Sequence, residues 1–312
     1  METMLVCTKR KSMLNLSTHQ LSIFLTAAET LNFTHAARQL QMTQPSVSQN
    51  IQALEKLLGV QLFNRLGRAI EVTEAGLALI PMARDMLYLS AHIEEMMASL
   101  DGSVCGHLIV GCSTATGRYL LPKFLADFHR QYPHVRATCL VASQAQVLQK
   151  LSEGTIHLAL ATEPPVCQDI EFRLVTDEHL VLIAAPDHPW TLRQEIGLQD
   201  LLEADFILPE EGLETHTAVR AVLAQLGISI FQLHTLVSLG SLEAIALTIQ
   251  EGLGVGFVPE LLVNRLVKDK VVQITVSGLD IRRNIYVGRN TRRRATTGQN
   301  AFWELICEKY VQ

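Results

Sequence analysis

The chain has 312 residues, room for two or three domains at roughly 100–200 residues each. Apolar residues make up 48 % and charged residues 18 %, which supplies a sizeable core and argues against a disordered chain. The longest apolar run, Leu180 to Pro186, falls far short of the about 20 residues that a membrane-spanning helix needs.

Behind Lys9, Arg10 and Lys11, the polar residues Ser12, Asn15, Ser17 and Thr18 break up what would be the apolar core of a signal peptide, so the expected location is cytoplasmic. Met1, Met4 and Met13 are each possible starts, and 1–17 reads as an N-terminal extension. Cysteines stand at 7, 105, 112, 139, 167 and 307 without C-x-x-C spacing. They read as reduced, mostly buried small hydrophobes rather than as a disulfide framework or a zinc site. The net charge of −5 is uneven: seven Lys and Arg against three acids give +4 over 1–68, which leaves −9 for the remainder. A basic head on an acidic body suggests a nucleic-acid-binding module joined to something else.

From Thr18 the apolar residues Leu21, Phe24, Leu25, Ala28 and Leu31 recur at helical steps. Asn32 and Phe33 interrupt them. Thr34 is the expected N-cap of a short second helix through Ala36, Ala37 and Leu40. Thr43 caps a third, with Pro45 in its first turn, where the missing N–H costs nothing. Val47, Ile51, Leu54 and Leu58 form its stripe, and Gly59 ends it. Small residues at Ala36 and Ala37 let two helices cross closely. The polar face Ser46, Ser48, Gln49 and Gln52 can hydrogen-bond base edges and phosphates. By periodicity alone the pattern fits a helix-turn-helix or a small bundle with a polar face. Val60 to Phe63 reads as a strand or a short extension of the packing, and Ala69 to Val72 as a strand, on either side of the basic turn Asn64 to Arg68. That is a wing, whose tip would reach the DNA backbone.

The stretch Ala36-Ala37-Arg-Gln-Leu40, Thr43-Gln-Pro-Ser-Val-Ser-Gln49, Leu54-Glu55, Gly59-Val-Gln-Leu-Phe63, Arg65, Gly67-Arg68 and Val72-Thr-Glu-Ala-Gly76 resembles the winged helix-turn-helix of LysR-type transcriptional regulators. The match is ordered and nearly gap-free from about Gln20 to Gly76. It implies a DNA-binding domain over 18–76. The candidate DNA contacts are Arg38, Thr43, Gln44, Pro45, Ser46, Ser48, Gln49 and Gln52, with Arg65 and Arg68 on phosphates.

Thr73 caps a long helix in which Leu79, Met82, Met86, Leu89, Ile93, Met96 and Leu100 alternate steps of three and four. That is a coiled-coil-type seam, which could also pack on its own domain. Pro81 lies past the first turn and is expected to kink the helix or weaken one backbone bond. The resemblance implies that 73–101 is a linker that pairs subunits.

From His107 strands and helices alternate, which predicts an α/β body with largely parallel sheets. Strands are expected at 107–111, 135–141, 158–161, 172–175, 179–185, 255–258, 271–276 and 284–288. Helices are expected at 120–132, 145–153, 198–202, 217–226 and 241–250. The body resembles the family's effector domain, which is similar to a periplasmic solute-binding protein. It would span 107–312, with lobe one at 107–176 and 282–312 and lobe two at 177–281. The fold class is therefore α/β with an N-terminal winged helix-turn-helix and an effector domain of two α/β lobes.

Ligands of open α/β sheets bind beyond the carboxyl ends of strands, often at helix starts. Ser113, Thr114, Thr116, Ser143 and Thr162 follow strands of lobe one, and Thr215 and Ser241 lie at helix starts of lobe two. As a set they suit a small anion; singly, each is a simple N-cap. One departure from the family is His157, in Leu-Ser-Glu-Gly-Thr-Ile-His-Leu-Ala, where it usually carries Asp. Gly252-Leu-Gly-Val-Gly256 imitates a dinucleotide loop but follows a helix and precedes a strand, the reverse of the required order. Arg292-Arg293-Arg294 reads as a solvated loop or a second phosphate contact.

The resemblance implies a ligand-responsive DNA-binding transcription regulator that is not an enzyme and needs no cofactor and no metal. Its partners would be double-stranded promoter DNA, a small-molecule effector, a second copy of the chain in a dimer or tetramer, and RNA polymerase. The competing readings are a stand-alone solute-binding protein and a small-molecule enzyme. The first would need a signal peptide, and the second a convergent acid, base or nucleophile set. Neither stands out in the sequence.

Overall fold

The structure, a computed structural model, describes residues 15–66, 69–100, 103–162, 164 and 168–311. The chain divides into two compact units, one in the main N-terminal to residue 103 and the other C-terminal to it.

In the first unit, α1 (Thr18–Thr30), α2 (Phe33–Gln39) and α3 (Gln44–Leu58) precede the strands β1 (Phe63–Leu66) and β2 (Ala69–Val72) and the helix α4 (Glu74–Ala98). Leu31 takes a left-handed conformation at φ 48° and ends α1, so it is exposed rather than part of the stripe. The cap of α2 is Asn32, not Thr34: the Asn32 carboxamide oxygen accepts from the Thr34 and His35 N–H groups. Asn accepts as readily as Thr, and its extended backbone starts the helix two residues early. Thr43 caps α3, and Gly59 closes it at φ 73°. β1 starts at Phe63 and includes Asn64 to Leu66, which were expected in the turn, and it pairs antiparallel with β2. The Phe63 ring, packed against Phe24 and Phe33 with centroids 5.6 and 5.5 Å away, draws that segment into the sheet. Glu55 of α3 fixes the chain just before the wing, its Oε1 accepting from the N–H groups of Leu62 (2.8 Å) and Phe63 (3.2 Å). Gly76 is required by close approach: a Cβ there would stand 2.5 Å from the Leu62 carbonyl oxygen.

The second unit is built on a nine-stranded sheet. Its strands are β3 (Gly106–Cys112), β4 (Val135–Val141), β5 (Leu158–Thr162), β6 (Ile170–Ala184), β7 (Asp205–Pro209), β8 (His234–Leu239), β9 (Val255–Pro259), β10 (Val272–Ile274) and β11 (Ile281–Asn290). The hydrogen-bonded order is β4-β3-β5-β11-β6-β9-β7-β8, with β10 on β6. The helices are α5 (Thr114–Tyr119), α6 (Leu121–Gln131), α7 (Gln144–Glu153), α8 (Glu214–Gln225), α9 (Leu242–Gln250), α10 (Glu260–Leu266) and α11 (Thr297–Lys309).

The separate strands expected at 172–175 and 179–185 are one strand, β6, and 198–202 lies in a 3-10 turn, Leu198–Glu203. β7, β8, α5, α10 and α11 are additional elements, α11 started by a Thr296/Gln299 capping box. The sheet is mixed rather than largely parallel: β3 pairs parallel with β4 and β5, and β7 with β8 and β9, but β6 and β11 run antiparallel to their neighbours. These two long strands join the halves of the sheet, with a register shift between Ile285 and Tyr286.

Alternation along the strands builds the cores. Leu182, Ala184, Phe206, Leu208, Val255 and Phe257 face one way, with Val219 and Leu223 of α8; Ile183, Ile207 and Val258 face the other, with Ile245 and Ile249 of α9. In the other half, Leu108, Val110, Leu160 and Val287 pack under Phe124, Phe128, Phe302 and Ile306. Of the described cysteines only Cys112 is buried. Cys139 is exposed because β4 is an edge strand, and Cys105 and Cys307 are intermediate. Gly252 and Gly254, at φ 90° and 65°, form the turn from α9 into β9, as the order of elements required.

Candidate functional site

The α3 residues Val47, Ile51 and Leu54 are buried among Leu21, Phe24, Ala36 and Ala37. A 3.6-residue period therefore turns the opposite face of α3 outward. Gln44, Pro45, Gln49 and Gln52 are exposed there, as are Thr43 ahead of the helix and Arg38 on α2; Ser46 and Ser48 are half-buried. Lys56 is exposed on the last turn of α3 and adds a positive charge to that helix, which the polar-face reading passed over. Part of this set is already engaged: the Ser46 N–H donates to Thr43 Oγ1 at 3.4 Å, and its carbonyl accepts from Asn50 Nδ2. The side chains of Arg65 and Arg68 lie outside the described residues.

Helix α4 has two apolar faces. Ala83 is buried and Leu79, Ile80 and Leu87 pack partly against the core of the first unit. Met82, Met86, Leu89, Ile93, Met96 and Leu100 are exposed, Met82 to 68 % and Leu89 to 56 %. The helix continues unbroken through Pro81. A row of six large apolar side chains in water is unfavourable for an isolated chain and marks an interaction surface.

In the second unit a cavity of about 470 Å³ opens between the two halves of the sheet. Five of the seven expected hydroxyl residues line it: Ser113, Thr114 and Ser143 from one half, Thr215 and Ser241 from the other. Thr116 and Thr162 do not. Thr116 is buried behind Ser113, its Oγ1 3.1 Å from the Ser113 Oγ. Thr162 is buried, with its N–H and hydroxyl both donating to Gln144 Oε1 at 2.8 and 2.9 Å. Each is thus one layer behind a lining residue.

The cavity also holds Arg118, Tyr119, Gln144, Glu214, Glu243 and Arg283, which a search for hydroxyls missed. Two bridges cross it. Ser113 Oγ donates to Glu214 Oε2 at 3.2 Å, and Tyr119 Oη donates to Glu243 Oε1 at 2.5 Å, where Arg118 Nη1 also sits at 2.5 Å. Arg283, almost fully buried, pairs with Glu178, lies 3.6 Å from Glu214 and reaches Thr215 Oγ1 at 3.4 Å. Burial raises the carboxyl of Glu214 above the usual carboxylate range, opposed by Arg283 and Ser113. Burial also pushes the Glu243 carboxyl up, but hydrogen bonds from Tyr119, Arg118 and Ser241 outweigh it and hold it at about 2. The Tyr119 hydroxyl is raised by burial and then by Glu243, so it remains a donor at neutral pH. The cavity therefore combines hydroxyl donors, two guanidinium groups and two carboxylates, a donor-rich lining suited to a small polar ligand. Among the described residues no group of three or more His, Cys, Asp or Glu is placed to hold a metal ion, and no helix is long and apolar enough to cross a membrane.

Comparison with known proteins places these surfaces in context. Residues 18–77 match the family described as "Bacterial regulatory helix-turn-helix protein, lysR family". Residues 101–310 match the LysR substrate binding domain. The HTH-type transcriptional activator CmpR of Synechocystis sp. is 32 % identical over 243 residues, which is 78 % of this chain and 79 % of CmpR. Among solved structures, full-length CbnR complexed with its target DNA superposes with a TM-score of 0.67 at 22 % identity, covering 94 % of this chain and 99 % of that one. The regulatory domain of Synechocystis PCC6803 CcmR in complex with 2-PG superposes with a TM-score of 0.58 at 24 % identity, covering 65 % of this chain and 96 % of that one.

Proposed function

The chain belongs to the LysR-type transcriptional regulators, DNA-binding regulators rather than enzymes, and on that premise we propose that it reads promoter DNA with α3 and its wing and senses a small organic anion in the cavity of the second unit. The observation that carries the reading is the cavity itself, where Ser113, Thr114, Thr215 and Ser241 present hydroxyls from both halves of the sheet. We assign 18–76 to the DNA-binding domain, 73–101 to the linker and 107–312 to the effector domain, with lobe one at 107–176 and 282–312 and lobe two at 177–281. Gln44, Ser46, Ser48 and Gln49 position and read the major groove, while Arg65 and Arg68 hold phosphates. The exposed seam of α4 supports a dimer, and a tetramer formed through the effector domains is what membership of the family suggests. In this reading the protein works in the cytoplasm, on promoter DNA and beside RNA polymerase.

The anionic effector is supported by the two guanidinium groups in the cavity and by the CcmR regulatory domain solved with 2-PG. A ligand touching both lobes biases the angle between them by its different affinity for two arrangements. DNA-protection mapping upstream of the chain's own gene and its neighbours tests the reading, run with and without 2-PG and other small carboxylates and phosphates. A protected site whose extent changes with one of them is expected. No protection at any site would overturn it.

A further inference from the structure

Two of the donors on the lobe-one wall of the cavity, Arg118 and Tyr119, are already occupied by a carboxylate of the chain itself. Glu243 comes from the first turn of α9 in lobe two. One of its oxygens takes the Tyr119 hydroxyl and the Arg118 guanidinium, both at 2.5 Å and both from α5 in lobe one. The other accepts from Ser241 Oγ at 2.7 Å. Tyr119 is itself buried, its ring among Ile183, Ile207 and Ile245 of lobe two, so its hydroxyl is held in place. A guanidinium, two hydroxyls and the positive end of a helix are the donor set that a bound carboxylate or phosphate requires. Among the described residues Arg118 pairs with no other carboxylate. At 54 % side-chain exposure it can also be reached from the cavity mouth.

We propose that Glu243 is an internal stand-in for the effector's acid group: an incoming carboxylate or phosphate takes Arg118 and Tyr119 from it, so that binding undoes the chain's own interlobe tie and replaces it with the ligand. This rests on the reading of the cavity as an anion site. Two anions within a few ångströms repel, so the Glu243–Arg118 pair and the ligand–Arg118 pair exclude each other. The competition lowers the apparent affinity of every anionic effector, because part of its binding energy is used to release Glu243. It also gives the ligand a differential contact with the two lobe arrangements, without which no ligand shifts an equilibrium.

The test is calorimetric titration of the full-length chain with three probes: 2-PG, inorganic phosphate and citrate. Glu243→Gln keeps the side chain's shape and removes its charge. It is expected to bind the preferred probe about tenfold more tightly than wild type. Glu243→Ala, which removes both the charge and the reach to Arg118 and Tyr119, is expected to tighten binding as well, which guards against a fold defect of the first variant. Arg118→Ala is expected to lose binding. Whether phosphate or citrate shows the gain tells which acid group the subsite takes. Wild-type binding that is unchanged or weakened in both Glu243 variants would overturn the displacement while leaving the anion site intact. No binding of any probe by wild type or variants would overturn the site as well.

Discussion

His157 stands where β3 meets the segment leading into β5. The His157 backbone N–H donates to the Ile109 carbonyl at 2.9 Å, and its ring Nδ1 accepts from the Ile109 N–H at 3.1 Å. That nitrogen must be unprotonated to accept, and burial, with His107 and Arg293 nearby, lowers the imidazole pKa to about 4. The unfolded chain, at about 6.5, therefore binds more protons than the folded one between pH 6.5 and 4, so stability rises with pH across that window and is lost as pH falls through it. Urea unfolding at pH 7.5 and pH 4.5 should give a loss of roughly 1–3 kcal/mol at the lower pH from this residue. His157→Asn, which keeps an acceptor that does not titrate, should flatten that part of the profile. A slope identical to wild type would mean that other groups carry it. The sequence marked His157 as unusual but gave no partner, since Ile109 is 48 residues away. The cavity charges were illegible for the same reason. Arg283 meets Glu178 and Glu214 from distant elements. Hydroxyls after strands were legible because helix starts are local features.

At the scale of elements, periodicity carried furthest where one face is buried. The three helices before the wing follow from their stripes, though of the expected N-caps only Thr43 of α3 was placed correctly, and α4 follows from its Thr73 cap and its apolar repeat. Two predictions belong here. Gln49→Ala should alter preference among sites by about 1–3 kcal/mol at one base pair. Arg68→Ala should weaken binding to all sequences and reduce the salt slope by about one. Anisotropy titrations of both variants at several salt concentrations check this, and unchanged affinity and slope in both would remove α3 and the wing from the DNA interface. The second concerns the seam. Leu89→Asp with Ile93→Asp places charge in an apolar contact, so light scattering should report a smaller particle. A mass equal to wild type would mean that the seam does not join subunits. Elements that periodicity missed have physical reasons too. β8 is an exposed edge strand with no buried face to pattern, and α11 is buried on several sides, so its apolar residues show no single stripe. β6 is one strand because its middle pairs with β11 across 177–180, a long-range contact that no local signal announces.

At the scale of the molecule, β6 and β11 pass between the halves of the sheet, so in the proposed reading a ligand held from both walls sets the angle between the halves through this pair of strands. The bridges Ser113–Glu214 and Tyr119–Glu243 join the two walls of the cavity, and the proposed effector exchanges the second for its own contacts. Coupling of this kind is typically about 1–3 kcal/mol. The α/β character of the body was legible in the alternation of strands and helices, and its division into two lobes is what the family resemblance implies; the carboxylates that bridge the cavity walls were not legible. Removing the Thr114 hydroxyl at nearly constant volume should uncouple the two sites. The most direct test is anisotropy of a labelled operator, titrated with wild type and with Thr114→Val, each with and without saturating 2-PG, inorganic phosphate or citrate. The account predicts that one of these anions shifts the wild-type DNA affinity by about 5- to 150-fold and leaves that of Thr114→Val where it was. An operator affinity that no anion moves, or that moves equally in both proteins, would contradict it.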